Sequence, residues 1–265
     1  MDTQLFKELI KIIEIETYKD LIYYYNMFKV LKPNLVLVKS RGGLGKTSLA
    51  EGTLKEVMWF RGHVTPLSLF REIAEHQGEE LQMVFDDINL FKSAVMLGEL
   101  KQITDTKEKQ IVGYNSTHQI AEMLNKTVKK KMSTLILCNN ANMEVNPDLS
   151  ALADRGHYVC FNPTNEEIFK YALSVNLGNP EVNKHIEQFY RFAQNFSLRT
   201  FVKAVFHFKM GGDWKGKILS ELSLEPRLSE IIKLMDKFKT DKERIEHYSR
   251  SKSDYYRKKQ LLKVK

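Results

Sequence analysis

The residues best suited to chemistry lie in two short stretches. The first is Ser40-Arg41-Gly42-Gly43-Leu44-Gly45-Lys46-Thr47-Ser48, placed after the apolar run Leu35–Val38 and before Leu49-Ala50-Glu51. Glycines in such a loop let successive backbone N–H groups turn inward as an anion nest, and the helix that follows adds the positive end of its dipole. Lys46 is spaced to reach the β and γ phosphates of a nucleotide, and the Thr47 hydroxyl suits magnesium. Ser40 stands where the loop pattern usually has glycine, which leaves the geometry of the first turn open. The second stretch is Leu81-Gln82-Met83-Val84-Phe85-Asp86-Asp87, an apolar strand ending in two carboxylates. In such a site Asp86 holds magnesium, directly or through water, and Asp87 polarises the attacking water.

Three further segments carry polar residues at telling places. Thr134–Cys138 reads as a strand that runs into Asn139-Asn140, and an amide can both donate and accept when it orients a water. Asn140 is the first choice for that task and Asn139 the alternate. Ala151-Leu152-Ala153-Asp154-Arg155-Gly156 presents Arg155 just before an apolar strand at Tyr158–Phe161. Asn195-Phe196-Ser197-Leu198-Arg199-Thr200-Phe201 presents Arg199 at a helix start, with Ser197 as a capping residue type.

In order and layout, these segments over residues 35–205 resemble the AAA+ family of P-loop ATPases. The resemblance implies that residues 40–48 form a Walker A loop binding ATP, that Thr47 and Asp86 hold Mg2+, and that Asp87 completes a Walker B motif. It makes Asn140 or Asn139 the sensor 1 residue, on a strand lying between the two Walker elements in space. Arg155 would be an arginine finger directed at a neighbouring subunit's γ-phosphate, and Arg199 the sensor 2 arginine of a helical lid. A homo-oligomeric ring, most often a hexamer, follows from the same likeness. One departure is Asp-Asp where most of the family has Asp-Glu; the shorter side chain sets the carboxylate about one carbon–carbon bond farther back, which predicts slow turnover. Size and layout are similar to replication initiators, helicase loaders and small AAA proteins of phages and plasmids. The last of these share a Gly-His-Val-Thr-Pro segment, here Gly62–Pro66.

The elements that must position these residues read as an α/β domain with a parallel sheet. Apolar runs at 35–38, Val57–Phe60, Leu81–Phe85, Ile111–Tyr114, Thr134–Cys138 and Tyr158–Phe161 alternate with helix-like segments at 67–77, 91–104 and 117–129. Apolar spacing over residues 4–29 predicts one or two amphipathic helices, closed by Lys32-Pro33-Asn34. After Pro163 the pattern is helical throughout. The expected organisation is N-terminal helices at 1–30, the nucleotide-binding α/β domain at 31–163, a helical lid at 164–220 and a basic helical tail at 221–265. Cys138 and Cys160 lie in apolar stretches, which favours buried thiols in a reducing compartment, and the N-terminal residues read as neither a secretory signal nor a membrane span. The expected location is the cytoplasm, with no membrane partner.

Charge gives the remaining hint about partners. The chain carries +8, and residues 233–265 hold twelve Lys or Arg against five Asp or Glu, so +7 lies in that tail. Tyr255 and Tyr256 directly precede Arg257, Lys258 and Lys259, a combination suited to single-stranded DNA because cations displace counterions while rings stack on bases. Arg61 and His63 suit phosphates or a polar partner better than they suit gripping polypeptide. Lys126, Lys129, Lys130 and Lys131 belong to an insertion, expected as an extra strand with a lysine-rich helix or as a hairpin. Two readings follow: a nucleic-acid motor or helicase loader that also contacts a replicative helicase, or a protein-remodelling ATPase whose tail binds a protein partner.

Overall fold

The computed structural model describes residues 12–88, 90, 93–114, 127–139, 152 and 154–262. The chain divides into two compact units, Met1–Asn162 and Pro163–Lys265. Seven strands form the first: β1 (Ile12–Ile15), β2 (Leu35–Lys39), β3 (Met58–Arg61), β4 (Glu80–Asp86), β5 (Gln110–Gly113), β6 (Thr127–Cys138) and β7 (His157–Phe161). They lie in the order β1-β7-β2-β6-β4-β3, parallel at every step, while β5 runs antiparallel to the first part of β6. Among the described residues four helices accompany them: α1 (Tyr18–Leu31), α2 (Lys46–Thr53), α3 (Pro66–Glu75) and α4 (Ala94–Ile103).

Burial explains why β2 and β4 read as nearly unbroken apolar runs. Successive side chains in a strand point to opposite faces, so a strand covered on both sides has no polar alternation. Leu35, Leu37, Met83, Phe85 and Ile136 join one core with Leu69, Phe70 and Ile73 of α3 and with Leu97 and Leu100 of α4. Gln82, which alternates with Met83, donates from Nε2 to the Phe28 carbonyl of α1 at 2.9 Å, so α1 covers the other face. Helices therefore flank both sides of the parallel sheet.

Two segments differ from the sequence expectation. Residues 12–15 form a strand, where a helix is expected. Three of the four are isoleucine, whose β-branching suits a pleated surface, and β1 extends the sheet by pairing with β7. The helix starts only after Thr17, whose side chain accepts from the Asp20 N–H. Residues 127–129, expected at the end of a helix, open the twelve-residue strand β6 and pair with β5. Residues 115–126, with Lys126, lie outside the described residues. Lys129 and Lys130 are ladder residues opposite Ile111 and Gln110, and Lys131 is ion-paired to Glu80 at 3.0 Å.

The second unit is helical: α5 (Asn165–Ser174), α6 (Pro180–Glu187), α7 (Leu198–Met210), α8 (Trp214–Glu221), α9 (Pro226–Lys237), α10 (Asp241–Glu246) and α11 (Lys252–Leu261). The expected basic tail is a packed part of this unit. Ile231, Leu234, Tyr248 and Tyr255 form a small core, and Tyr255 is fully buried with its hydroxyl donating to Asp241 at 3.0 Å. Lys258 binds both Glu225 oxygens at 2.6 and 2.8 Å, and Lys259 is ion-paired to Asp241. These contacts turn Tyr255, Lys258 and Lys259 inward, and only Tyr256 and Arg257 of the expected nucleic-acid grip remain exposed. Arg257 also pairs with Asp254 at 2.5 Å.

Candidate functional site

Strand register brings the chemistry-bearing residues to one edge of the sheet. Lys39 of β2 pairs with Cys138 of β6, and Asp86 of β4 pairs with Leu137 of β6. Residues 40, 87 and 139 thus leave their strands side by side, at the C-terminal ends where α/β sheets hold ligands. β6 lies between β2 and β4, which sets an amide-bearing strand end between the glycine-rich loop and the paired acids.

The loop has the local conformation its glycines allow. Gly43 and Gly45 have φ of 82° and 79°, in the region that side chains disfavour. Gly45 precedes α2 with no side-chain cap. Ser40 keeps a negative φ, so serine meets no backbone strain at the position where the pattern has glycine. Its N–H donates to the Cys138 carbonyl at 3.2 Å, tying the loop's first residue to β6.

Lys46 is 6% exposed, and its ammonium sits among oxygens of the loop and of β6. It donates to Ser40 Oγ at 2.7 Å and to Asn139 Oδ1 at 2.9 Å, with the Ser40 and Arg41 carbonyls at 3.4 Å. The same Asn139 amide donates from Nδ2 to Asp87 Oδ1 at 2.6 Å. A single side chain therefore bridges the loop lysine and the second acid. Asn139, the alternate of the sequence reading, makes these contacts, and Asn140 lies outside the described residues. Asp87 adopts a φ of 52°, a conformation that Asp tolerates better than most residues, and its N–H donates to the Leu137 carbonyl at 3.1 Å.

Asp86 faces the loop from the other side. Thr47 Oγ1 donates to Asp86 Oδ1 at 2.8 Å, so the two expected metal ligands are adjacent. Among the described residues no group of three His, Cys, Asp or Glu could hold a metal. A magnesium ion bound by one hydroxyl and one carboxylate, with phosphate and water oxygens completing its shell, needs no such group. Arg61 Nε lies 3.5 Å from Asp86 Oδ2, its Nη2 donates to Glu51 at 2.6 Å, and its guanidinium stacks over Trp59 at 4.4 Å. Beyond Arg61, residues Gly62–Pro66 and Asp87, Ile88, Leu90, Ser93 and Met96 line a cavity of about 450 Å³, so His63 and Asp87 share one cavity wall. A larger cavity of about 830 Å³ lies wholly in the second unit, among Lys184–Phe192 and the ends of α9 and α11, and contains none of these residues.

Two residues that brace the loop escaped the sequence reading. Tyr18 donates to the Leu44 carbonyl and Tyr25 to the Lys46 carbonyl, each at 3.1 Å, and both rings are buried. They lie seven apart on α1, two turns along one face, a spacing visible in sequence but with nothing there to connect it to the loop.

No family model matches the chain, and no curated protein matches it. The site is therefore defined by its own geometry.

Arg155 stands at the opposite edge of the sheet. His157 pairs with Val36, so Arg155 lies beyond the N-terminal end of β2, whereas the glycine loop follows its C-terminal end. Five residues at about 3.3 Å each separate the two ends by roughly 16 Å, beyond the reach of one arginine. Gly156 fixes the approach, since a Cβ there would lie 2.0 Å from the Leu35 carbonyl oxygen. Arg155 Nη1 donates to the Lys101 carbonyl near the end of α4. Arg199 is exposed in the first turn of α7, in the second unit.

Proposed function

We propose that this chain is a magnesium-dependent ATPase of the AAA+ type, with residues 40–48 as the phosphate loop. The observation that carries the reading is the bridge Lys46–Asn139–Asp87 beside the pair Thr47–Asp86. It assembles, at one sheet edge, a cation for phosphate oxygens, two metal-ligand oxygens, and a carboxylate oriented by an amide. The strand order supports the same reading, because an amide-bearing strand lies between the loop strand and the acid-bearing strand.

In this reading, backbone N–H groups of the loop and the start of α2 cradle the phosphates, and Lys46 leaves Asn139 for the β and γ oxygens. Thr47 and Asp86 hold Mg2+, which supplies positive charge at the phosphate oxygens when bound. Asp87 accepts the proton of the attacking water, with Asn139 keeping its carboxylate aligned.

Arg155 lies too far from Lys46 to serve its own subunit, which favours action on the phosphates of another copy in a homo-oligomeric ring. Arg199, in the first turn of α7, is the sensor 2 candidate. Nucleic acid, single-stranded DNA above all, is the proposed substrate, in the manner of a replication motor or helicase loader. Its support is the cationic surface that α9–α11 and their connections still expose at Lys233, Lys237, Lys239, Lys242, Arg250, Lys252 and Arg257. The inward contacts of Lys258 and Lys259 favour the second reading, a protein-remodelling ATPase whose α9–α11 region contacts a protein partner.

Nucleotide binding and hydrolysis by the full chain test the first claim. Lys46→Ala should abolish tight ATP binding, and Asp87→Asn should keep binding but stop turnover. Hydrolysis at the wild-type rate by the asparagine variant would overturn the assignment. Mixing inactive Lys46→Ala and Arg155→Ala subunits should restore part of the activity, because the second supplies an intact loop and the first an intact arginine. Stimulation by single-stranded DNA, compared with unfolded protein, separates the two substrate readings.

A further inference from the structure

Ser40 is the one place where the loop departs from its usual pattern, and the structure gives its hydroxyl a partner of consequence. Ser40 is 5% exposed, and its Oγ lies 2.7 Å from the Lys46 ammonium, the shortest contact described for that group. The hydroxyl proton is committed elsewhere, to the Arg41 carbonyl at 2.9 Å, so the oxygen's lone pairs face the ammonium. The two carbonyl contacts of Lys46, at 3.4 Å, lie beyond the usual range for a strong hydrogen bond. The grip on Lys46 therefore comes chiefly from Ser40 Oγ and Asn139 Oδ1 among these contacts.

The sheet holds both acceptors in place. Ser40 is anchored through its N–H to the Cys138 carbonyl, and Asn139 is the next residue after Cys138. The spacing between the two oxygens is thus set by the β2–β6 register and not by a loose loop. A glycine at position 40 would leave the backbone anchor and remove the oxygen.

Resting on the reading of residues 40–48 as a phosphate loop, we infer that Ser40 is a latch on Lys46 that sets nucleotide affinity. The hydroxyl competes with phosphate oxygens for the ammonium: each binding event breaks the Ser40–Lys46 hydrogen bond, and each release of nucleotide restores it. An ammonium drawn to phosphate oxygens gives up this contact, so the hydroxyl weakens binding without serving the chemical step. It acts through the lysine that meets the phosphates on any nucleotide reaching the β position, and therefore on ADP as well as ATP. Ser40 is a positioning residue, and its removal should improve binding, an effect that a merely structural role would not produce.

The test is nucleotide affinity of the full chain, measured with ATP and with ADP in the presence of magnesium. Ser40→Ala should lower both dissociation constants by about tenfold, in keeping with the loss of one hydrogen bond to a charged group. Ser40→Thr, which keeps the hydroxyl, should stay near wild type, and Ser40→Cys, which keeps the shape but is a weak acceptor, should fall between. KM should drop in Ser40→Ala. In a Lys46→Met background, Ser40→Ala should change nothing, since the latch has lost its bolt. Wild-type or weaker affinity in folded Ser40→Ala and Ser40→Cys would overturn the latch. Nucleotide binding that depends on Lys46 but ignores Ser40 overturns the latch alone, whereas absence of nucleotide binding in the wild type overturns the reading of the loop with it.

Discussion

Replacing Asn139 by alanine separates the bridge from everything around it. The side chain makes two hydrogen bonds to charged groups, one accepted from Lys46 at 2.9 Å and one donated to Asp87 at 2.6 Å. A hydrogen bond to a charged group is worth about 1.5–3 kcal/mol. In the proposed ATPase the Lys46 contact gives way to phosphate on binding, so its loss should tighten ATP binding. The Asp87 contact, on the same proposal, persists into the reaction and orients the carboxylate that receives the proton. Losing one such contact in the transition state, at about 1.4 kcal/mol per decade of rate, lowers kcat by roughly 10- to 150-fold. Steady-state ATP hydrolysis, combined with equilibrium binding of ATP, reads both effects in one protein. Asn140→Ala is the control and should stay within a few-fold of wild type. Normal ATP hydrolysis by Asn139→Ala, or loss of turnover in Asn140→Ala alone, would refute the role given to the bridge.

Three other predictions rest on separate parts of the chain. Glu99 is 4% exposed with no hydrogen-bond partner for either oxygen among the described residues, and burial pushes its carboxyl up from 4.5 to about 8. The folded state therefore holds a proton that the unfolded state has lost between those values, so stability falls as pH rises through that window; Glu99→Gln should flatten the fall and stabilise the protein by about 3 kcal/mol at pH 7, as read by denaturant titrations from pH 4 to 8. Tyr25→Phe removes the hydrogen bond to the Lys46 carbonyl and should cost about 1 kcal/mol of stability, with weaker ATP binding measured by titration and no change in kcat at saturation. Deleting residues 251–262 and the remainder of the chain uncovers Tyr248 and Ile231 and removes the fully buried Tyr255; the loss of one large core aromatic costs about 3–5 kcal/mol, so thermal unfolding followed by circular dichroism should show the second unit melting early. An unchanged melting curve would mean that α11 is the appendage its composition suggests.

The parts of this protein legible in sequence are those whose cause is local. The glycines of 42–45 and the run Leu35–Val38 announce a loop after a buried strand, because positive φ and continuous burial each leave a composition that can be read directly. Asp86 and Asp87 follow an apolar strand for the same reason. That Asn139 meets both Lys46 and Asp87 was not legible, since it depends on the register of β6 against β2 and β4, and register is a property of pairing between distant segments. The same holds for Tyr18 and Tyr25, whose rings look like ordinary core until α1 is laid beside the loop. Ile12–Ile15 satisfies a helical spacing on paper and becomes a strand because β7 offers it an edge. In the C-terminal region the sequence determined the excess of positive charge, but tertiary packing decided where it points: Glu225 and Asp241 draw Lys258 and Lys259 inward, and carboxylates brought close by folding compete for cations that composition alone assigns to solvent.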